Sequence, residues 1–342
     1  MATEPQRALI SRRSVLAGAA ALPLAGGVLR GDVDAQPSAL DWSLEAAEKR
    51  AREALHQTTG TKLVLLGTGA GPIAGRPRRM TSHVMVARGA AYILDCGLGV
   101  TNQFARTGLD FPAIRSIFMT HFHPDHSIEY GPLLVIGWIH GLRPDVQVYG
   151  PPPLAQMTED LLRSQRVVID FWANDFHMTP LTSVATHELP VAGPVMQDEN
   201  VRVTSVLVQH PPVRPAYGYR FDFNDRSIAF SGDTIPLEAV AQMAKGADVL
   251  VHEAMYMPAV DEEIKLQIAR GQHTTYDAFM KHMLADHSRA EDVGRIAAEA
   301  GVKTLVLSHL TPSAGATDAE WRAAAAKTFK GEILVGHDLM VV

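Results

Sequence analysis

The stretch MTHFHPDHSI, residues 119–128, carries three histidines and an aspartate within the positions from His121 to His126, directly behind the apolar run Ile117-Phe118-Met119. A buried strand that closes on so many coordinating groups sets them at the lip of its sheet. There they can meet a ligand without disturbing the core. His121 and His123 are two apart, so in extended chain both leave the same face. Pro124 then turns the backbone, and Asp125 and His126 can face a second ion. A catalytic zinc site needs nitrogen and oxygen ligands with one position left open for water, and this motif supplies them.

Three later segments repeat the pattern. VLVQH ends on His210, IAFSGD on Asp233 and TLVLSH on His309. A lone example would read as a satisfied core histidine or a capping aspartate. Three of them in order, following HxHxDH, point to one shared centre.

The rest of the chain fits a large mixed domain. Its 342 residues are 46% hydrophobic and 20% charged, enough apolar material for a sizeable core and too few charges for a disordered chain. The run SALDWSLEAAEKRAREALHQ (38–57) has the period of an amphipathic helix, with Leu40, Leu44, Ala47, Ala51 and Leu55 on one face. From residue 62 short apolar runs separated by turn residues predict strands at 62–69, 82–87, 90–97, 116–121, 145–150, 201–210, 216–223, 227–233, 247–253 and 302–310. Helical patterns fall near 99–107, 235–245, 274–286, 289–300 and 317–329, and residues 164–198 read as less regular. Strands in runs that later alternate with helices predict two mixed sheets with helices outside them. The single cysteine, Cys96, excludes an internal disulfide and reads as a small buried thiol.

Residues 1–35 stand apart. Arg7, Arg12 and Arg13 precede the apolar run VLAGAAALPLAGGV (15–28), and Val33-Asp34-Ala35 offers small residues for cleavage. SRRSVLA resembles a twin-arginine export signal, which implies a periplasmic or secreted protein. The division expected is therefore an export signal at 1–35, a helix at 36–60 and one large mixed domain at 61–342. Formal net charge is −6. Removing the signal takes away four basic residues (Arg7, Arg12, Arg13, Arg30) and three acidic ones (Glu4, Asp32, Asp34), leaving −7. Such a balance gives no general reason to expect a nucleic acid or an anionic membrane as partner.

Together, LLGTGAGPIAGRPRRMTSHVMV, YILDCGLGVTNQF, THFHPDH, VQHPPVRPAYGYRF, SGDT, VLVHEAM, QHTTYDA and LSHLTP resemble the blocks of the metallo-β-lactamase fold superfamily, and within it the ribonuclease Z and arylsulfatase-like branch. The resemblance covers nearly all of 61–342. It implies an α+β fold, a four-layer αββα sandwich with the site at one edge. Carried over position by position, it implies that His121, His123 and His210 hold one metal ion, that Asp125, His126 and His309 hold another, and that Asp233 bridges them. Zinc suits this imidazole-rich set, and manganese or iron also tolerates mixed nitrogen and oxygen ligands. The resemblance also brings forward His273, in QHTT, as proton donor or oxyanion stabiliser, with Glu253 as its orienting partner and Asp125 among the catalytic groups.

Two close divalent ions lower the pKa of a bridging water, and the resulting hydroxide attacks an ester centre. The substrate expected is a small ester, an aryl sulfate or a phosphodiester first. The alternatives are tRNA 3′ processing of the ribonuclease Z type, a lactone or β-lactam hydrolysis, and a metal-stabilised binding protein. Against nucleic acid stand the export signal, the negative charge and the lack of a basic or Gly/Pro-rich clamping arm. After signal removal no membrane contact is expected. The oligomeric state stays open, a homodimer included. His56, His140, His282 and His287 fall in helical patterns and read as exposed or capping residues, His337 as a turn residue. His83 and His252 read as structural or as supports behind the ligands. GTGAG (67–71) is not a phosphate loop, since it lacks the lysine and the following helix. Phe171, Trp172 and Phe176 are candidates for an apolar wall over the metals.

Overall fold

Strand β1 shows how the sheets are layered. Leu63 and Leu65 point into a core between two sheets, while Val64 and Leu66 point outward into a core under helices. Both faces are covered, so the strand reads as an unbroken apolar run rather than an alternating one.

The structure is a computed structural model and describes residues 41–56, 59–73, 75–271 and 274–342. The first half comprises α1 (Leu44–His56), β1 (Lys62–Gly67), β2 (Ser82–Ala87), β3 (Ala90–Leu94), α2 (Val100–Arg106), β4 (Ile114–Phe118), α3 (Pro124–Ser127), α4 (Tyr130–Ile139) and β5 (Gln147–Gly150). Next come α5 (Leu154–Ser164), α6 (Arg166–Phe176), β6 (Ala185–Glu188), β7 (Gly193–Gln197), β8 (Val201–His210), β9 (Val213–Phe223) and β10 (Ser227–Phe230). The chain closes with α7 (Glu238–Met243), β11 (Val249–Met255), α8 (Met257–Ala269), α9 (Tyr276–Asp286), α10 (Ala290–Ala300), β12 (Thr304–Thr311), α11 (Asp318–Ala325), β13 (Glu332–Val335) and β14 (Met340–Val341).

Two seven-stranded sheets result, ordered β14-β1-β2-β3-β4-β5-β6 and β13-β12-β11-β10-β9-β8-β7. Between them lies an aromatic-rich core in which Phe118 meets Tyr219 and Phe221 edge-on at 5.8 and 5.0 Å. Outside the first sheet, Phe104 on α2, Leu134 and Trp138 on α4 and Ile169 on α6 form a second core. Outside the other sheet, Val240 on α7, Ile296 on α10 and Trp321 on α11 form a third. This is the expected αββα sandwich. Helix α1 packs Ala47, Ala51 and Leu55 against the first outer core.

Several elements depart from the expectation. The 164–198 segment is not irregular: most of its first half is α6, and β6 and β7 are the edge strands of the two sheets. Helix α4 (YGPLLVIGWI) has no apolar period because seven of its ten residues are buried. Phe171 and Phe176 lie exposed on α6 and do not line the cleft described below, so they form no wall over the metal residues. Residues 1–35 and His273 lie outside the described residues. No helix among the described residues is long and apolar enough to cross a membrane.

Candidate metal centre

Most of the chemistry-bearing side chains sit at the carboxyl ends of strands; His123, Asp125 and His126 follow at the short helix after β4, and His287 follows α9. Asp95 follows β3, His121 lies just beyond β4, His210 ends β8, Asp233 lies just beyond β10, and Glu253 and His309 lie near the ends of β11 and β12. Carboxyl ends of neighbouring strands form a natural crevice in such sheets.

Two backbone features aim these residues. β11 and β12 pair Glu253 with Ser308 and then Ala254 with Leu310, so His309 is an extra residue bulged out of the ladder, at φ +44°. Asp95 is also left-handed, at φ +60°. Non-glycine residues held in this region are uncommon and gather at functional sites. Beside Asp233, Gly232 has φ +62°, and a Cβ there would come within 2.4 Å of the Tyr217 carbonyl oxygen. No other residue fits that corner.

The structure brings the seven sequence-derived residues together. His121, His123, His210 and Asp233 form one group and Asp125, His126, Asp233 and His309 another, with the ligand atoms of each within 4.8 Å of one another. Asp233 belongs to both. Its Oδ2 lies 3.3 Å from His126 Nε2, 3.1 Å from His309 Nε2, 3.8 Å from His210 Nε2 and 3.9 Å from His121 Nε2. His123 Nδ1 and His210 Nε2 converge to 2.8 Å.

Partners behind the ligands fix which nitrogens face inward. His210 Nδ1 donates to the Asp286 carbonyl at 3.0 Å. His126 Nδ1 pairs with Asp95 Oδ2 at 2.8 Å, and Asp95 Oδ1 accepts from the Thr120 backbone N–H at 2.8 Å. The glycine turn has a role after all: the Gly71 N–H donates to Asp125 Oδ2 at 2.7 Å.

The residues fit divalent cations. His121 Nε2, His126 Nε2 and Asp233 Oδ1 are buried and have no hydrogen-bond partner. Buried polar atoms rarely stay unpaired unless something else engages them. The charge balance points the same way. Burial opposes charge on His126, yet Asp233, Asp95 and Asp125 overcome it and hold its pKa well above the ordinary value. Burial likewise opposes charge on His309, but Asp233 and Asp125 push it up to about 10. Asp233 resists burial through His126 and His309 and stays well below the usual carboxylate range. These carboxylates demand positive charge at their centre. His121, buried and ringed by other imidazoles, is instead held neutral, the state that binds a metal.

Glu253 has a partner that the sequence reading passed over. His287 Nδ1 lies 2.9 Å from Glu253 Oε2, while Glu253 Oε1 accepts from the Thr234 N–H at 2.6 Å. His287 caps the C-terminus of α9, as expected, but it is not exposed: its side chain is 11% exposed and faces the cleft. Burial works against its charge, but Glu253 beside it raises its pKa. Glu253, His287 and His309 are close enough to count as a third metal-type cluster. Both oxygens of Glu253 are already engaged, one by His287 and one by the Thr234 N–H. Asp95 was also missed, although YILD closes on an acid as IAFSGD does. His83 is buried behind the ligands and held neutral by burial, with its pKa down to about 3.

The site floors a cleft of about 520 Å³ whose lining includes His123, Asp125, His210, Asp233, His287 and His309.

This fold and ligand set place the chain in a known class. The family model for a β-lactamase superfamily domain matches residues 91–310, and the chain belongs to the metallo-β-lactamase superfamily of hydrolases. Within it, the chain is 32% identical over 283 residues to a ribonuclease Z of Mycobacterium bovis, covering 81% of this chain and 96% of that one. A ribonuclease Z of Mycobacterium tuberculosis is 31% identical over 283 residues, with the same coverage. Among solved structures, the metallo-β-lactamase fold protein YhfI of Bacillus subtilis aligns with TM-score 0.61 at 19% identity, covering 82% of this chain and 98% of that one. The short form of human tRNase Z aligns with TM-score 0.60 at 21% identity and the same coverage. The curated relatives carry the ribonuclease Z side of the resemblance. They overturn the expectation that nucleic acid is not a partner: net charge and a missing arm weigh less than homology to ribonucleases along most of the chain.

Proposed function

We propose that the protein is a phosphodiesterase with two divalent metal ions that acts on RNA, a reading of the ribonuclease Z type. The observation that carries it is the pair of ligand groups sharing Asp233 beside the Glu253–His287 pair, in a chain one-third identical to ribonuclease Z. In this reading His121, His123 and His210 hold one ion, Asp125, His126 and His309 the other, and Asp233 both. Zinc is the ion proposed, because imidazole nitrogens dominate the set. The ions, when bound, acidify water and neutralise charge on the scissile phosphate.

The remaining work falls to side chains. Gly71 holds the Asp125 carboxylate in place. Glu253 binds Nδ1 of His287, which leaves Nε2 as that ring's free nitrogen, in a ring that lines the cleft. Because Glu253 favours its protonated form, His287 is suited to give a proton to the departing oxygen. His287 thus takes the part that the sequence reading gave to His273.

The test is a hydrolysis screen of zinc-loaded protein. Bis-p-nitrophenyl phosphate and a tRNA precursor with a 3′ trailer should both be cleaved, and a strong chelator should stop both reactions. Cleavage of p-nitrophenyl sulfate with neither phosphodiester touched would overturn the reading.

A further inference from the structure

Beyond the metal residues, the same cleft has a second half that the reaction as derived does not use. Between β11 and α10 the chain inserts two helices, α8 and α9, that pack on each other. Met255, Val260, Ile264 and Met283 form a buried apolar cluster there, separate from the three main cores, and Phe279 packs against it. Val260, Ile264, Phe279 and Met283 also line the cleft that the metal residues floor. The hairpin is therefore a wall of the site as well as a small core.

Polar groups rim this wall. Arg76, from the loop after β1, forms an ion pair with Glu263 on α8. Gln267 donates to the same Glu263 at 2.8 Å, and its amide oxygen has no partner among the described residues. The Thr311 hydroxyl, in the same lining, is buried and has no partner.

A bare phosphate needs no apolar wall. A diester seated on the metal residues carries substituents on its bridging oxygens, and one of them must lie along α9. Pockets of roughly 300–1,000 Å³ lined by apolar side chains with a few polar groups are the ordinary form of a small-molecule subsite. The polar rim decides what kind of group fits. An alkyl chain would leave Gln267 and Thr311 unpaired, whereas a ring with heteroatoms at its edge would pair them while its face covers Phe279 and Met283.

We propose that α8 and α9 form a subsite for a planar heteroaromatic ring carried beside the scissile phosphate, which in RNA is a nucleobase, with Phe279 and Met283 as the residues that select it. The inference rests on the phosphodiesterase reading for the source of the ring. Its test needs no turnover.

The experiment is calorimetric binding of uridine 5′-monophosphate, ribose 5-phosphate and hexyl phosphate to the zinc-loaded protein. The nucleotide should bind about tenfold more tightly than ribose 5-phosphate, the size expected for one base on one aromatic ring. Phe279→Ala and the apolar but non-aromatic Phe279→Leu should each shrink that ratio to about threefold or less and leave ribose 5-phosphate binding unchanged. Equal binding of nucleotide and sugar phosphate by the parent protein would overturn the subsite. So would hexyl phosphate binding as tightly as the nucleotide, or both variants weakening all three ligands alike. Base-dependent binding in a protein that cleaves no phosphodiester would sink the hydrolase reading and keep the subsite.

Discussion

His287 and Glu253 are separated by 34 positions in the chain, yet an imidazole nitrogen of one lies 2.9 Å from a carboxylate oxygen of the other at the edge of the metal centre. The contact fixes the tautomer of His287 and favours its charged form. Its loss should therefore matter most where the departing oxygen needs a proton.

His287→Ala is expected to lower kcat on an RNA substrate by roughly 100- to 10,000-fold, the usual range for a general acid. On bis-p-nitrophenyl phosphate, whose leaving group needs no proton, the loss should be far smaller. Metal content, measured on the same samples, should stay unchanged. Equal losses on both substrates would remove the proton-donor role.

Glu253→Gln should behave as a milder form of the same change. The amide still accepts from the Thr234 N–H, but it no longer raises the pKa of His287. The limb of the pH–rate profile that reports loss of the donor proton should move to lower pH. A profile that stays put would show that Glu253 does not tune this histidine.

Asp95→Asn removes the carboxylate behind His126 Nδ1. Partners of this kind typically contribute 10- to 100-fold in metal affinity. Competition with a chromogenic chelator should show one of two bound ions weakened by about that factor. Asp233→Ala should abolish tight binding of both. Loss of a single ion in Asp233→Ala would show that the carboxylate does not join the two groups.

The twin-arginine segment is a proposal that rests on sequence alone. Replacing Arg12 and Arg13 together by lysine should leave uncleaved precursor in the cytoplasm of an expressing cell. A normally exported product in the fractionation would dismiss it.

Phe118→Ala is a test of the fold rather than the site. Phe118 is fully buried between the sheets against Tyr219 and Phe221. Such truncations cost about 3–5 kcal/mol, read as a lower denaturation midpoint at unchanged slope. A midpoint within error of the parent protein would mean that this part of the core can collapse around the gap.

Four of the seven candidate ligands, His121, His210, Asp233 and His309, were legible because each closes an apolar run, and His123, Asp125 and His126 continue the motif that His121 begins. A histidine or aspartate at the end of a strand buried on both faces meets the crevice instead of the core, so the pattern marked His210, Asp233 and His309 without any fold knowledge, whereas His83 and His252 lie within strands and are buried there. The histidine proposed as proton donor, His287, was not legible in the same way. QHTT and DHS both precede helices, and only the fold shows that α9 is part of an inserted hairpin and that His287 follows it, against Glu253. Helix α4 escaped because its burial leaves no period, and β6, β7, β13 and β14 because five residues or fewer at a sheet edge carry little pattern. The partner was misjudged because net charge describes the whole surface, whereas substrate choice is made inside one cleft.

The extra residue in β12 has an evolutionary implication. His309 occupies a position that the ladder between β11 and β12 does not need, since the pairs on either side of it close without it. Deleting one codon there would let Ser308 and Leu310 continue a regular ladder and would withdraw an imidazole from the centre. A lineage could in this way lose its chemistry in one step while keeping its architecture, and a relative with an unbroken strand at this point would be a natural candidate for a scaffold that has retired from hydrolysis.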